Sequence, residues 1–137
     1  MNRLTPPFLE CRRILEWKID SKGNPNRYRR AWCDKHGFVP KNLVTVVVEG
    51  EAMSPSIEHG TSIVINTSDI EPISERVYAV VYQGAFLIRR LYIEVDGTIH
   101  LKSDNPDNKS HPKLSISSRY REVLKILGRV VLAQCNL

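Results

Sequence analysis

Hydrophobic residues in this chain recur in short blocks, not in helical stripes, and Gly, Pro, Asn and Asp separate the blocks. Residues 44–49, 62–66, 77–82, 85–93, 98–102 and 123–133 are each rich in β-branched or aromatic side chains, the types that pack well on a pleated surface. They predict six or seven strands. Several are apolar at nearly every position, which fits strands covered on both faces, in a small barrel or in packed sheets. Upstream, Tyr28 and Trp32 lie four apart and Gly37 closes the segment 28–36, which is the spacing of one helix face ended by a residue that tolerates the left-handed region. A short helix is predicted there. Still earlier, Pro6-Pro7 and Ser21-Lys22-Gly23-Asn24-Pro25 act as breakers around one amphipathic stretch, residues 9–17. The chain therefore divides into a leader or linker, 1–27, and a mainly β domain, 28–137.

Composition supports one domain with a real core, since 137 residues carry 42% hydrophobic side chains. The net charge of +5 is unevenly placed: residues 1–41 hold ten Lys/Arg against four Asp/Glu, and the remainder ten against eleven. One reading has Arg12, Arg13, Lys18, Lys22, Arg27, Arg29 and Arg30 touching phosphate. A solvated leader is the plainer reading, because the charges are scattered and no helix-turn-helix, zinc-finger or base-stacking pattern accompanies them. Cys11, Cys33 and Cys135 are odd in number and lack the spacing of a disulfide framework or a zinc site. The expectation is a reducing, cytoplasmic setting with no metal and no cofactor. No apolar run approaches the roughly 20 residues that span a membrane, and the first ten residues hold no signal-peptide core.

The segment Val48-Glu49-Gly50-Glu51-Ala52-Met53-Ser54-Pro55-Ser56-Ile57 resembles the active-site motif of LexA-type repressors, phage repressors and UmuD-like proteins, roughly V-x-G-D-S-M-x-P-T-I. Signal peptidases share its serine–methionine core. Ala52 stands at the serine position. Leu87-Ile88-Arg89-Arg90-Leu91 is similar to the family's K-R-L element, with Arg89 where the lysine belongs. The resemblance extends to His59-Gly60-Thr61-Ser62-Ile63-Val64-Ile65, whose two acidic positions are lost, to Leu101-Lys102-Ser103-Asp104-Asn105-Pro106, matching an L-x-S-D-N-P turn, and to Ile126-Leu127-Gly128-Arg129-Val130-Val131, matching a closing I-x-G-x-V-V strand. Tyr28-Arg29-Arg30-Ala31-Trp32 with Gly37-Phe38 looks like the short helix that precedes the domain in phage repressors. Four ordered motifs over about 110 residues are specific together and weak singly. The absence of a membrane span argues against the signal-peptidase branch.

The resemblance implies a LexA C-terminal-domain or signal-peptidase-like fold, several packed antiparallel strands with one or two short helices. It also implies a Ser/Lys protease that has lost its chemistry. A serine hydroxyl is a weak nucleophile until a base takes its proton, and a lysine serves only when burial lowers its pKa. Alanine has no oxygen, and arginine stays protonated. Self-cleaving relatives cut an Ala-Gly or Cys-Gly bond, and neither dipeptide occurs here. Three losses together read as a natural pseudo-protease. Ser54 and Ser56 are poor substitutes for the nucleophile, and His36, His59, His100 and His111 show no certifiable serine and acid partners.

The expected function is a catalytically inactive dimerisation or regulatory domain of a phage-type or bacterial transcriptional repressor. Its remnant dyad is Ala52 and Arg89, and Gly50, Glu51, Met53, Pro55 and Arg90 are expected to line the cleft. A homodimer interface is expected through the late strand at Ile126, Gly128, Val130 and Leu132, although these residues also read as core strand. DNA would be reached only through a helix-turn-helix domain not present in this chain. Glu51 is the first partner expected for the Arg89 guanidinium, which needs an acceptor if it is buried. Two rivals stand beside this reading. One is a Ser/Lys autoprotease domain carrying inactivating mutations, which a serine codon at 52 in the natural gene would support. The other is a stand-alone, UmuD-like partner that holds a peptide in the dead cleft by strand addition, which an upstream DNA-binding domain would count against.

Overall fold

Alternation along one strand shows how the chain distributes its apolar residues. In β3 (Val77–Tyr82), Val77, Ala79 and Val81 join one hydrophobic cluster while Tyr78, Val80 and Tyr82 join another. Successive side chains of a strand point to opposite faces, so a strand apolar at every position serves two cores at once. The computed structural model describes residues 27–107 and 109–134, with side chains for 32–133 apart from 108. The amphipathic stretch 9–17, Cys11, Cys135 and the basic side chains of the leader lie outside the described residues.

The remaining elements are α1 (Arg27–His36), a 3-10 turn (Pro40–Asn42), β1 (Leu43–Val47), β2 (Ser62–Asn66), β4 (Ala85–Ile93), β5 (Ile99–Lys102), β6 (Leu114–Ile116), a second 3-10 segment (Ser118–Val123) and β7 (Leu124–Gln134). All seven strands form one sheet in the order β1-β2-β7-β3-β4-β5-β6, with every neighbouring pair antiparallel. The mainly β expectation holds. Among the described residues the barrel alternative does not, because β1 and β6 are the edges of an open sheet. Both faces are nonetheless covered. Val44, Val46, Met53, Ile57, Ile63, Ile65, Ala79, Ile88 and Leu127 fill the first core, and Tyr78, Leu91, Ile99, Leu101, Ile116 and Ile126 belong to the second. Each fully buried side chain of this kind contributes roughly 1.5–3 kcal/mol.

The helix follows the sequence signal closely. Gly37 takes a φ of 77°, and the Phe38 N–H returns to the Cys33 carbonyl at 2.8 Å, which satisfies an end of α1 that would otherwise be orphaned. Cys33 is fully buried against Leu43 and Val64, with Trp32, Phe38, Val131 and Leu132 packed around it. It is a free thiol whose pKa is raised by burial and then by nearby Asp34, the character of a structural cysteine.

β7 is a central strand, hydrogen-bonded to β2 on one side and β3 on the other. The register shifts between Val64 and Ile65 on β2 and between Ala79 and Val80 on β3, bulges that bend and twist the paired strands. Gly128 sits where a side chain has no room, since a Cβ there would lie 2.4 Å from the Asn66 carbonyl oxygen. Close approach of two backbones is the reason for glycine at this point.

Candidate functional site

A tight turn between β1 and β2 carries the motif that resembles a protease active site. Gly50 and Gly60 adopt φ of 89° and 87°, conformations that favour glycine, and they frame the turn. Its neck is closed by Val48 N–H to Thr61 O at 2.9 Å and Gly60 N–H to Val48 O at 2.8 Å. The Gly50 N–H donates to His59 Nδ1 at 2.9 Å, so a neutral His59 carries its proton on Nε2. Within the turn, Ile57 N–H bonds the Met53 carbonyl at 2.9 Å. That single helical closure brings Met53 and Ile57 into the first core, where they are 1% and 6% exposed. Of the residues expected to line a cleft, Met53 is thus an anchor, whereas Gly50, Glu51 and Pro55 are exposed and Ala52 is half-buried.

The two serines of the turn are already engaged. Ser54 Oγ donates to Glu58 Oε1, and Ser56 makes a side-chain hydrogen bond with Asp104. A second loop then clamps the turn from outside. The Asn105 N–H donates to the Ala52 carbonyl at 3.0 Å, and Asn105 Nδ2 donates to the Glu51 carbonyl at 2.8 Å. Asp104 in turn accepts two hydrogen bonds from Arg90, Nε to Oδ1 at 2.9 Å and NH2 to Oδ2 at 2.7 Å, while Arg90 NH1 reaches the Glu75 carbonyl at 2.9 Å. Planar guanidinium and planar carboxylate meet fork to fork, a geometry that is stronger and more directional than a single contact. The hydrogen bond from Arg90 holds the Asp104 carboxyl below its ordinary range, and the reciprocal bond raises Arg90.

Arg89 behaves differently. It pairs with Tyr78 across β3 and β4, and the alternation of β4 sets it on the side of Leu87 and Leu91, away from Ile88 and Arg90. Its NH1 donates to the Ile88 carbonyl at 2.8 Å, and desolvation by burial lowers its pKa. The expected pairing with Glu51 does not form, as no ion pair among the described residues involves either side chain. A carbonyl partner meets the need for an acceptor instead. Glu51 is an exposed turn residue that has water for its charge, so nothing draws it to the guanidinium.

The profile of the Peptidase S24-like family matches residues 19–131. This chain belongs to that family. It is also 30% identical over 95 residues to a protein of Haemophilus influenzae named as an uncharacterized HTH-type transcriptional regulator; the match covers 69% of this chain and 38% of that relative. The chain thus corresponds to a minor part of the relative's length. Among the described residues, no helix is long and apolar enough to cross a membrane.

In this S24-like domain the late strand divides its residues between core and surface. Ile126 is 8% exposed in the second core, and Gly128 is buried against β2; both serve the sheet of their own chain. Val130 and Leu132 are half-buried, packed at the margins of two different clusters. Residues that the sequence reading did not single out complete the picture. Asp104 and Asn105 were visible as part of the S-D-N-P turn, but nothing in one sequence tells which segment such a turn will hold. His100 joins Ser115 Oγ through Nδ1 at 2.8 Å and Glu94 through Nε2. This cluster is built by β5, β6 and the residue that follows β4, with Glu94 and Ser115 exposed, and it reads as a surface network.

Proposed function

We propose that this S24-like domain is a non-cleaving regulatory module of a bacterial or phage-type transcriptional repressor, working in the cytoplasm as a homodimer whose DNA contacts come from a helix-turn-helix domain elsewhere in the protein. The observation that carries this reading is the double replacement of the reacting groups, Ala52 at the serine position and Arg89 at the lysine position. Ala52 cannot form an acyl-enzyme, and a guanidinium cannot give up its proton to act as a base. The name of the Haemophilus relative supports the link to transcription. Two-fold association would raise the affinity of attached DNA-binding domains for paired half-sites through effective concentration.

A second reading is favoured by the clamp. Arg90, Asp104 and Asn105 still hold the 51–57 turn in shape although the chemistry it would position is gone. A scaffold kept without its reaction suits a cleft that holds a peptide, as a UmuD-like partner protein would, and the two roles are compatible in one domain.

The test is incubation of the protein at alkaline pH for days with mass spectrometry as the readout. The chain should stay full length, and Ala52→Ser alone should stay inert for want of a base. The pair Ala52→Ser with Arg89→Lys should be the least altered form able to cut an Ala-Gly peptide supplied in trans. A discrete cut of the unaltered chain at a rate independent of protein concentration would defeat the reading. Sedimentation equilibrium at micromolar concentration addresses the dimer, and a strict monomer at about 100 micromolar would remove it.

A further inference from the structure

β5 and the segments beside it gather a hydroxyl, an imidazole and a carboxylate on one face of the sheet. His100 pairs with Tyr92 of β4 and with Ser115 of β6, and directly opposed side chains share a face. Glu94 lies two positions beyond Tyr92, where its N–H bonds the Thr98 carbonyl at 2.9 Å and continues the ladder. The period of two keeps it on the same face as the diagonal neighbour of His100. The contacts follow from that placement. Ser115 Oγ stands 2.8 Å from His100 Nδ1, and Glu94 Oε2 meets His100 Nε2. Ser115 is exposed on an edge strand, while the His100 side chain is 16% exposed, so a small molecule can reach the hydroxyl while the ring stays held.

The proton positions follow from the partners. An ionised carboxylate only accepts, so a neutral His100 carries its ring proton on Nε2 for Glu94 and leaves Nδ1 as an acceptor. Ser115 then donates its O–H to Nδ1. That is the polarity an activated serine needs: its proton aimed at a base, and the base held by a third group. The two ring nitrogens serve in the reverse of their commoner order, which leaves the acid–base role intact because either can take a proton while the other holds one. The serines of the 51–57 turn differ. Ser54 bonds Glu58 and Ser56 bonds Asp104, and a carboxylate is a weak base at neutral pH, whereas an imidazole titrates near it. Lys102, two positions from His100 on β5, belongs to the same face, with Nζ 5.5 Å from the Tyr92 ring centroid. A cation and an aromatic ring thus flank the imidazole.

We propose that Ser115, His100 and Glu94 form a second reactive site, separate from the turn at Ala52, in which Ser115 takes the acyl group of small esters with good leaving groups. The Ser115 oxygen bonds to the acyl carbon as its proton passes to His100 Nδ1. The ester C–O bond then breaks, and Nδ1 gives that proton to the departing oxygen. Water adds to the acyl carbon with its proton taken by Nδ1, the Ser115–acyl bond breaks, and the proton returns to Ser115, so a carboxylic acid leaves and the serine is restored. Glu94 stays ionised and positions the ring. Lys102, on a flexible stem, stabilises the oxyanion less than fixed donors do. Esters with stable leaving groups therefore fit the site and peptide bonds do not, so this chemistry is compatible with a chain that cuts no peptide.

The experiment treats the full chain with p-nitrophenyl acetate, following p-nitrophenol release and locating acetyl groups by peptide mass spectrometry. Ser115 should be acetylated at least tenfold faster than Ser54, Ser56 or the exposed Ser110. Ser115→Ala should remove that adduct and slow p-nitrophenol release at least tenfold. His100→Gln should slow acetylation of Ser115 at least tenfold. Glu94→Gln should slow it less, and Glu94→Asp should recover part of the loss, a rescue that a merely structural role would not give. Ser115 and Glu94 are exposed, so their variants decide the matter if His100→Gln fails to fold. Acetylation of Ser115 no faster than of Ser110, p-nitrophenol release unchanged by Ser115→Ala, or an adduct rate undiminished in both His100→Gln and Glu94→Gln would overturn the site.

Discussion

The two faces of β4 hold the same side chain at consecutive positions and treat it in opposite ways. On one face, Arg90 meets Asp104 fork to fork and closes on the Glu75 carbonyl. On the other, Arg89 has a single described hydrogen bond, to a carbonyl of its own strand, and a pKa lowered by burial alone. Chemistry cannot explain the contrast, because the groups are identical. Position does, since one step along a strand exchanges one face for the other. Arg90 has become part of the framework that shapes the 51–57 turn, whereas Arg89 stands where the S24 resemblance places a reacting lysine. The framework and the reacting position are separable, and this chain retains the first while altering the second.

The sharpest way to break the comparison is to neutralise each arginine in turn. Arg90→Met keeps much of the side-chain volume but leaves Asp104, whose side chain is 15% exposed, as a nearly buried carboxylate without its cation. Charge-assisted hydrogen bonds contribute about 1.5–3 kcal/mol, and loss of one partner strands the other. A stability loss of about 2 kcal/mol is expected by chemical denaturation. Asp104→Asn should cost less, because the amide oxygen still accepts one bond. A double-mutant cycle should return a coupling of about 1–2 kcal/mol. Additive losses would mean that the pair is a surface contact and the contrast between the faces is empty.

Acid should act on the same pair with a smaller effect. The folded-state pKa of Asp104 is depressed, principally by the hydrogen bond from Arg90. A depressed carboxyl contributes stability that is present above its unfolded value, about 4, and is lost as pH falls through the lower folded value. Stability measured from pH 6 downward should therefore fall below pH 4 more steeply in the parent than in Asp104→Asn. Parallel curves would show that other carboxylates carry the whole acid response.

These contacts also mark the limit of what one sequence discloses. The strand blocks were legible because β-branched residues and their breakers are local signals, and four of the six predicted spans start or end where the strands do: β2, β3 and β4 match at both ends, and β5 ends at Lys102 as expected. β6 escaped notice because Leu114–Ile116 is only three residues long and takes its conformation from pairing with β5. The place of β7 at the centre of the sheet is a long-range fact, invisible in its apolar run. At the site, the turn 48–57 and the S-D-N-P motif were both readable as motifs. Their meeting was not, since it depends on a bond between residues 54 positions apart. The expected Arg89–Glu51 pair failed for a related reason: nearness of opposite charges in a motif alignment says nothing about which of them water already satisfies.

The smallest expected effect is the one that completes the contrast. Arg89→Met removes a half-buried cation that has no carboxylate partner among the described residues and replaces it with a flexible apolar chain facing the second core, near Leu87 and Leu91. The lost hydrogen bond to the Ile88 carbonyl, worth about 1 kcal/mol net, is opposed by the desolvation no longer borne and by added apolar burial. Stability should change by less than about 1 kcal/mol, in either direction, while the spectrum of the 51–57 turn stays as in the parent. A loss as large as that of Arg90→Met would show that Arg89 also belongs to the framework. Its replacement of lysine would then be a structural substitution, and the reacting position would not be separable from the scaffold around it.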